Sequence, residues 1–172
     1  MALTGSYGRG MDTTRYPDPS TYRSLVDLLD DASRRYPQDR ALLSLRTDDG
    51  LEAGWSADDL RRRARLAAWR LRAMGLAPGD RLLTWSPSTP ALPAVYWGAM
   101  MAGVVFVPLD VRMAPSVLRR IADRSEARLL AIGGEDAAPA VDGSGLEDLR
   151  RVTLESLVAD PGEGDQDFPP DW

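Results

Sequence analysis

The side chains able to do chemistry in this sequence are carboxylates, hydroxyls and guanidinium groups, because its 172 residues include no Cys, no His and no Lys. That removes disulfide frameworks, Cys nucleophiles, His general bases, Ser-His-Asp triads, Schiff bases and the usual zinc sites. It also removes a Walker-type phosphate loop, whose lysine is obligatory. What remains gathers in a few places. Asp110, Val111 and Arg112 follow the apolar run Val104 to Val107 and its Pro-Leu exit, at the end of a strand where open parallel sheets form ligand crevices. Ser86-Pro87-Ser88-Thr89-Pro90 is a hydroxyl-rich loop after another such run; it either lines a crevice or caps the next helix. The arginines from Arg61 to Arg72 invite a phosphate reading, but on an acidic chain they read better as a solvated face paired with Asp and Glu. Gly133-Gly134-Glu135-Asp136 and Asp142-Gly143-Ser144-Gly145 lack the partners of the nucleotide-cyclase and calcium loops they imitate, and read as turns.

The elements that position these residues follow from periodicity. Ser24 is the expected N-cap of a helix to about Tyr36, with Leu25, Leu28, Leu29 and Ala32 at helical spacing. Ala41 to Arg46 and Leu51 to Gly54, joined by Asp48-Asp49-Gly50, read as an edge hairpin. Ser56 and Asp59 form a capping-box pattern for the next helix, whose apolar stripe is Leu60, Ala64, Ala67, Ala68, Leu71 and Met74. A turn, Gly75 to Asp80, leads to a strand at Arg81 to Trp85. The stretch Ala94 to Ala102 carries no charge and predicts a helix buried against a sheet, ended by Gly103 in a left-handed conformation. Val104 to Val107 predicts a strand covered on both faces, with Pro108 ending its ladder. A helix from Pro115 to about Ser125 with Val117, Leu118 and Ile121 inward, a strand at Arg128 to Ile132, a strand at Arg151 to Thr153 and a helical turn at Leu154 to Val158 complete the order. The fold class expected is α/β, a mostly parallel sheet with helices on both faces, linked by right-handed crossovers. No Gly-x-Gly-x-x-Gly follows the first crossover strand, which disfavours an ordinary dinucleotide fold.

Composition sets the outer bounds. An apolar content of 44% suits a packed core, and a net charge of −5 argues against nucleic-acid binding through bulk electrostatics, so that any phosphate contact is expected to be local. No apolar run approaches the length of a membrane span, and Met1 to Gly10 lacks the pattern of a signal peptide; the expected location is cytoplasmic. Residues 1–21 read as a flexible leader, 22–160 as one α/β unit, and 161–172 as an acidic, Pro-rich linker.

Three segments in this order resemble the N-terminal region of the adenylate-forming superfamily, which includes acyl-CoA synthetases such as the long-chain fatty acid CoA ligases, luciferases and peptide-synthetase adenylation domains. Trp55 to Leu60 with the Arg-rich helix is similar to its first core motif, Leu-Thr-Tyr-x-Glu-Leu. Gly75 to Trp85, GLAPGDRLLTW, is similar to its Gly-x-x-x-Gly-Asp-x-Val strand entry. Ala99 to Asp110, AMMAGVVFVPLD, is similar to Ala-Gly-x-x-x-Val-Pro-Leu-Asp. The resemblance covers roughly Leu25 to Ile132. Trp55-Ser56 departs from the usual Thr-Tyr, and Ser88 stands near a position often held by Asn or Glu. The sequence to Trp172 also lacks the family's Ser/Thr/Gly-rich phosphate loop ending in Lys, its magnesium-binding Glu and its lid Lys.

The resemblance implies the N-terminal subdomain of an acetyl-CoA synthetase-like ligase. The parent would activate a carboxylic acid, a fatty acid foremost, with ATP and Mg²⁺ to an acyl-adenylate, then transfer the acyl group to CoA. It further implies that Asp110, Val111 and Arg112 lie near the pantetheine path, with Arg112 meeting a CoA phosphate; the alternative is a structural salt bridge to a nearby carboxylate. No catalytic or metal-binding residue is expected in this stretch, and neither ATP, Mg²⁺ nor CoA is expected to bind it tightly alone. The expected partners are the remaining domains of the same ligase, and an uncovered sheet face favours self-association. Other readings left open are a stand-alone ligand-binding or interaction module and an unrelated small nucleotide-binding α/β domain.

Overall fold

The structure, a computed structural model, describes residues 18–38, 40–44, 53–134 and 145–160. A 3-10 turn, Pro19–Thr21, precedes α1 (Leu25–Arg35), the strands β1 (Arg40–Ser44) and β2 (Ala53–Ser56), and α2 (Ala57–Ala73). Then come β3 (Arg81–Trp85), α3 (Ala91–Ala102), β4 (Val105–Leu109), α4 (Pro115–Ser125), β5 (Leu129–Ile132), β6 (Arg150–Thr153) and α5 (Leu154–Val158). The turn Asp48 to Gly50, residues 135–144, the first seventeen residues of the expected leader and the whole expected linker lie outside the described residues.

β1 and β2 pair antiparallel as a separate two-stranded sheet, the expected hairpin, with β2 running two residues further than expected. The main sheet is four parallel strands in the order β4-β3-β5-β6. Alternation along β3 and β5 divides the core. Leu82, Leu129 and Ala131 face α2, α3 and α5, while Leu83, Trp85, Leu130 and Ile132 face α4 through Leu118 and Ala122. From β3 the chain steps outward to β4 through α3 on one face. It then returns across β3 to β5 through α4 on the other, so reversing direction and changing face together keep the crossovers one hand.

Local signals at helix ends hold in detail. At α2 the Ser56 hydroxyl accepts from the Asp59 amide at 3.1 Å and the Asp59 carboxylate accepts from the Ser56 amide at 3.2 Å, a reciprocal capping box. At the end of α3, Gly103 has φ 72° and the Val104 amide reaches back to the Ala99 carbonyl at 2.8 Å, which satisfies carbonyls the helix would otherwise leave open. α3 begins at Ala91, three residues earlier than expected, because Pro93 falls in the first turn, where a missing N–H costs nothing.

Three expectations need correction. β4 is not covered on both faces: it is an edge strand of the sheet among the described residues, Val105 is 49% exposed, and the strand continues through Pro108 to Leu109. The Val105 amide donates to the Asp80 carbonyl of the β3 side, so amides at 105, 107 and 109 point inward and position 108 points to the open edge. A proline there removes no bond from the β3 ladder. On α1, only Leu29 of the four spaced apolar residues is buried, and Leu25 and Leu28 are exposed. The α2 arginines do pair with acids, Arg61 with Asp30 at 2.6 Å and Arg62 with Asp59 and Asp160. They also clasp the far end of the chain: Arg63 donates to the Val158 carbonyl at 2.6 Å, and Arg70 to the Ser156 and Ala159 carbonyls at 2.8 and 2.9 Å. These are the last carbonyls of α5, which a short helix leaves without internal partners.

Candidate functional site

The carboxyl ends of the four parallel strands open on one side of the sheet. β3 delivers Ser86, β4 delivers Asp110 and β5 delivers Gly133. Leu109, the last residue of β4, is buried and anchors the loop that follows. The indole Nε1 of Trp85, itself buried at the end of β3, donates to the Asp110 carbonyl at 3.0 Å. The Met113 amide donates to the same carbonyl at 3.0 Å, closing a turn over Asp110–Met113. The backbone of the loop is therefore held from both the sheet and within.

Its side chains form one unit. The Asp110 Oδ1 accepts from the Arg112 amide at 2.8 Å and from Nε at 2.9 Å, and Oδ2 accepts from Nη2 at 2.6 Å. The Arg112 guanidinium, then its amide, holds the Asp110 carboxyl down to about 2, and the carboxylate in turn raises Arg112. The pair is solvent-facing: the Arg112 side chain is 87% exposed, and Val111 and Met113 stand exposed on either side. Of the two readings of Arg112, the salt bridge to a nearby carboxylate is present, and the guanidinium it holds faces outward where an anion can reach it.

At the switch point between β3 and β5, where an open sheet places its crevice, the strand ends are packed together. The Gly133 amide donates to the Trp85 carbonyl at 3.1 Å, and a Cβ on Gly133 would overlap the Ser86 hydroxyl and come within 2.7 Å of Leu154. Only glycine fits there. Gly134 follows with φ 83°, its amide near the Glu155 carboxylate at 3.4 Å. The hydroxyl loop does not cap α3. Its N-cap is Pro90, without a side-chain bond, and Thr89 serves only through its carbonyl, which accepts from Leu92 at 3.1 Å. The Ser86 hydroxyl donates to the Pro87 carbonyl at 2.7 Å, while the Thr84 and Thr89 hydroxyls are buried without a partner.

Trp85 and Gly133 belong to this site without being among the expected site residues. The signal for Trp85 was an aromatic donor closing a strand just before a Ser-Pro loop; that for Gly133 was a glycine immediately after a buried strand. Chemically the site offers an outward guanidinium and exposed apolar flanks. Among the described residues no group of three acidic side chains is gathered to hold a metal ion. Among them, too, no helix is long and apolar enough to cross a membrane.

Comparison with known proteins adds an independent line. The model of the family described as AMP-binding enzyme matches residues 29–168. A (methyl-dioxo-octahydroindenyl)propanoyl:CoA ligase of Mycobacterium tuberculosis is 31% identical over 148 residues, covering 84% of this chain and 28% of the ligase. A ligase of L-proline and the L-prolyl-carrier protein from Pseudomonas fluorescens is 33% identical over 121 residues, covering 70% of this chain and 23% of that protein. The fold matches the fatty acid AMP ligase of Legionella pneumophila with a TM-score of 0.69 at 21% identity, over 80% of this chain and 24% of that one. The chain thus spans about a quarter of the length of the relatives it matches.

Proposed function

We propose, from the premise that this chain belongs to the AMP-binding enzyme family, that it is the N-terminal α/β part of an AMP-forming ligase joining a carboxylic acid to a thiol, with CoA as the acceptor and a fatty acid as the substrate class. In the first step a carboxylate oxygen attacks the α-phosphorus of ATP and pyrophosphate leaves. In the second the thiol sulfur attacks the acyl carbonyl, its proton goes to solvent, and AMP leaves. The observation that carries the reading is the family match across the sheet and the site. The names of the two relatives, a CoA ligase and a carrier-protein ligase, support acyl transfer to a thiol carrier. Family membership sets aside the unrelated small nucleotide-binding domain.

Phosphoryl transfer of this kind is mostly positioning and charge neutralisation. In the parent, magnesium would supply charge neutralisation of the polyphosphate, held by residues other than those the structure describes. This chain supplies a wall. The Trp85 indole and the turn at Met113 fix Asp110, and Asp110 aims the Arg112 guanidinium outward, where it meets a phosphate of the acceptor. Val111 and Met113 flank the apolar arm that carries the thiol. Alone, the chain is inactive, and a cytoplasmic location, where ATP and CoA are available, belongs to the same reading. In the full-length parent, Arg112→Ala should raise the KM for CoA about fivefold while leaving the KM for ATP and for the acid unchanged. An unchanged KM for CoA would remove Arg112 from the acceptor path.

A further inference from the structure

We infer that the chain's own segment Phe168–Trp172, FPPDW, docks in an apolar pocket on α1. The pocket has a volume of about 340 Å³ and lies between the 3-10 turn and the exposed face of α1, walled by Pro19, Tyr22, Leu28, Ala32 and Tyr36. Its size is at the bottom of the range for small-molecule sites and suits one aromatic and one or two proline rings better than a nucleotide or CoA. Two of its polar side chains are joined through Asp31. The Tyr22 hydroxyl donates to the Asp31 carboxylate at 2.6 Å, and Arg35 Nε donates to the same oxygen at 2.6 Å. Tyrosine rings beside a proline form the kind of surface on which proline-rich segments lie.

The chain's course brings that segment within reach. Asp160, the last described residue, is held by Arg62 and Arg63 on α2. The next residue back on α2, Arg61, is bound to Asp30 on α1 at 2.6 Å, immediately before Asp31 of the pocket. Two arginine side chains and one step along the helix separate Asp160 from α1, a path on the order of 20 Å. The eight residues from Asp160 to Phe168 span up to about 26 Å when extended. The charged residues of 161–172, Glu163, Asp165, Asp167 and Asp171, are all acidic, and Arg34 and Arg35 end α1 beside Tyr36. Docking of this segment covers Leu28 and Tyr36 and sets the direction in which the chain leaves the sheet. The inference does not rest on the ligase reading.

The absence of cysteine makes trapping clean. In the 172-residue chain, the pair Leu28→Cys and Phe168→Cys should oxidise to an intrachain disulfide at least tenfold faster than the control pair Val105→Cys and Phe168→Cys on the opposite edge of the sheet. Both Leu28 and Val105 are exposed, so neither change disturbs the core. Phe168→Ala alone should shift the amide resonances of Leu28, Ala32 and Tyr36. Equal rates for the two pairs, disulfides formed mainly between chains, or resonances unmoved by Phe168→Ala would each overturn the inference.

Discussion

Gly98 sits on α3 where it crosses α2, and its replacement by alanine weighs two opposed effects against each other. In an isolated helix alanine is favoured over glycine by about 1 kcal/mol. In this structure a Cβ at position 98 would lie 2.6 Å from the Ala64 carbonyl oxygen, 2.6 Å from the Ala67 Cβ and 3.0 Å from the Ala68 amide nitrogen. Two of those atoms are backbone and the third is a methyl that cannot turn away, so the helices must separate. Overpacking of this kind costs roughly 1–3 kcal/mol, and rigid neighbours place it at the upper end, near 3. The net expectation for Gly98→Ala is a loss of about 2 kcal/mol after the propensity gain, a fall in Tm of roughly 4–8 °C for a domain of this size. Thermal and urea unfolding followed by circular dichroism would read both. Ala67→Gly in the same chain should recover part of the loss by removing one of the three contacts, a coupling that a double-mutant cycle isolates. A neutral or stabilising Gly98→Ala would show that the α2–α3 crossing is looser than described and that propensity decides there.

The site and the clasp give two further tests. Asp110 titrates near 2 because Arg112 favours its charged form; with a folded value below the ordinary 3.8, its contribution to stability is present above that value and is lost as the pH falls from about 3.8 through about 2. An NMR titration of its carboxyl should show this, and Arg112→Ala should return it toward the ordinary value. Asp160→Asn should loosen the hold of Arg62 and Arg63 on the end of α5, so amides of residues 154–158 should exchange faster while those of β3 and β5 keep their protection.

Features fixed by neighbours in sequence were legible before the fold was known. The capping box at Ser56 and Asp59, the left-handed glycine at Gly103 and the short helix after Thr153 each depend on a few adjacent residues. The parallel sheet followed from the alternation of strands and helices. What escaped depends on strand order or on distant partners. Pro108 read as a strand end because nothing local says that its nitrogen faces the open edge. The Trp85 bond to Asp110 joins residues 25 apart in sequence, the fit of Gly133 against Ser86 and Leu154 joins two loops and the start of α5, and the arginine clasp spans from α2 to the last helix. Arg112 was singled out, and so was the possibility of a carboxylate partner; that the partner would be Asp110, two residues away, needed the turn that Met113 closes.

The central claim is that this chain is the scaffold portion of a carboxylate-activating, AMP-forming ligase and does no chemistry by itself. Carboxylate-dependent exchange of pyrophosphate into ATP tests it most directly, measured on the 172-residue chain and on the full-length parent with the same panel of fatty and aromatic acids. The account predicts exchange by the parent with at least one acid and none by the chain alone; exchange by the isolated chain, or a parent inert toward every acid, would contradict it.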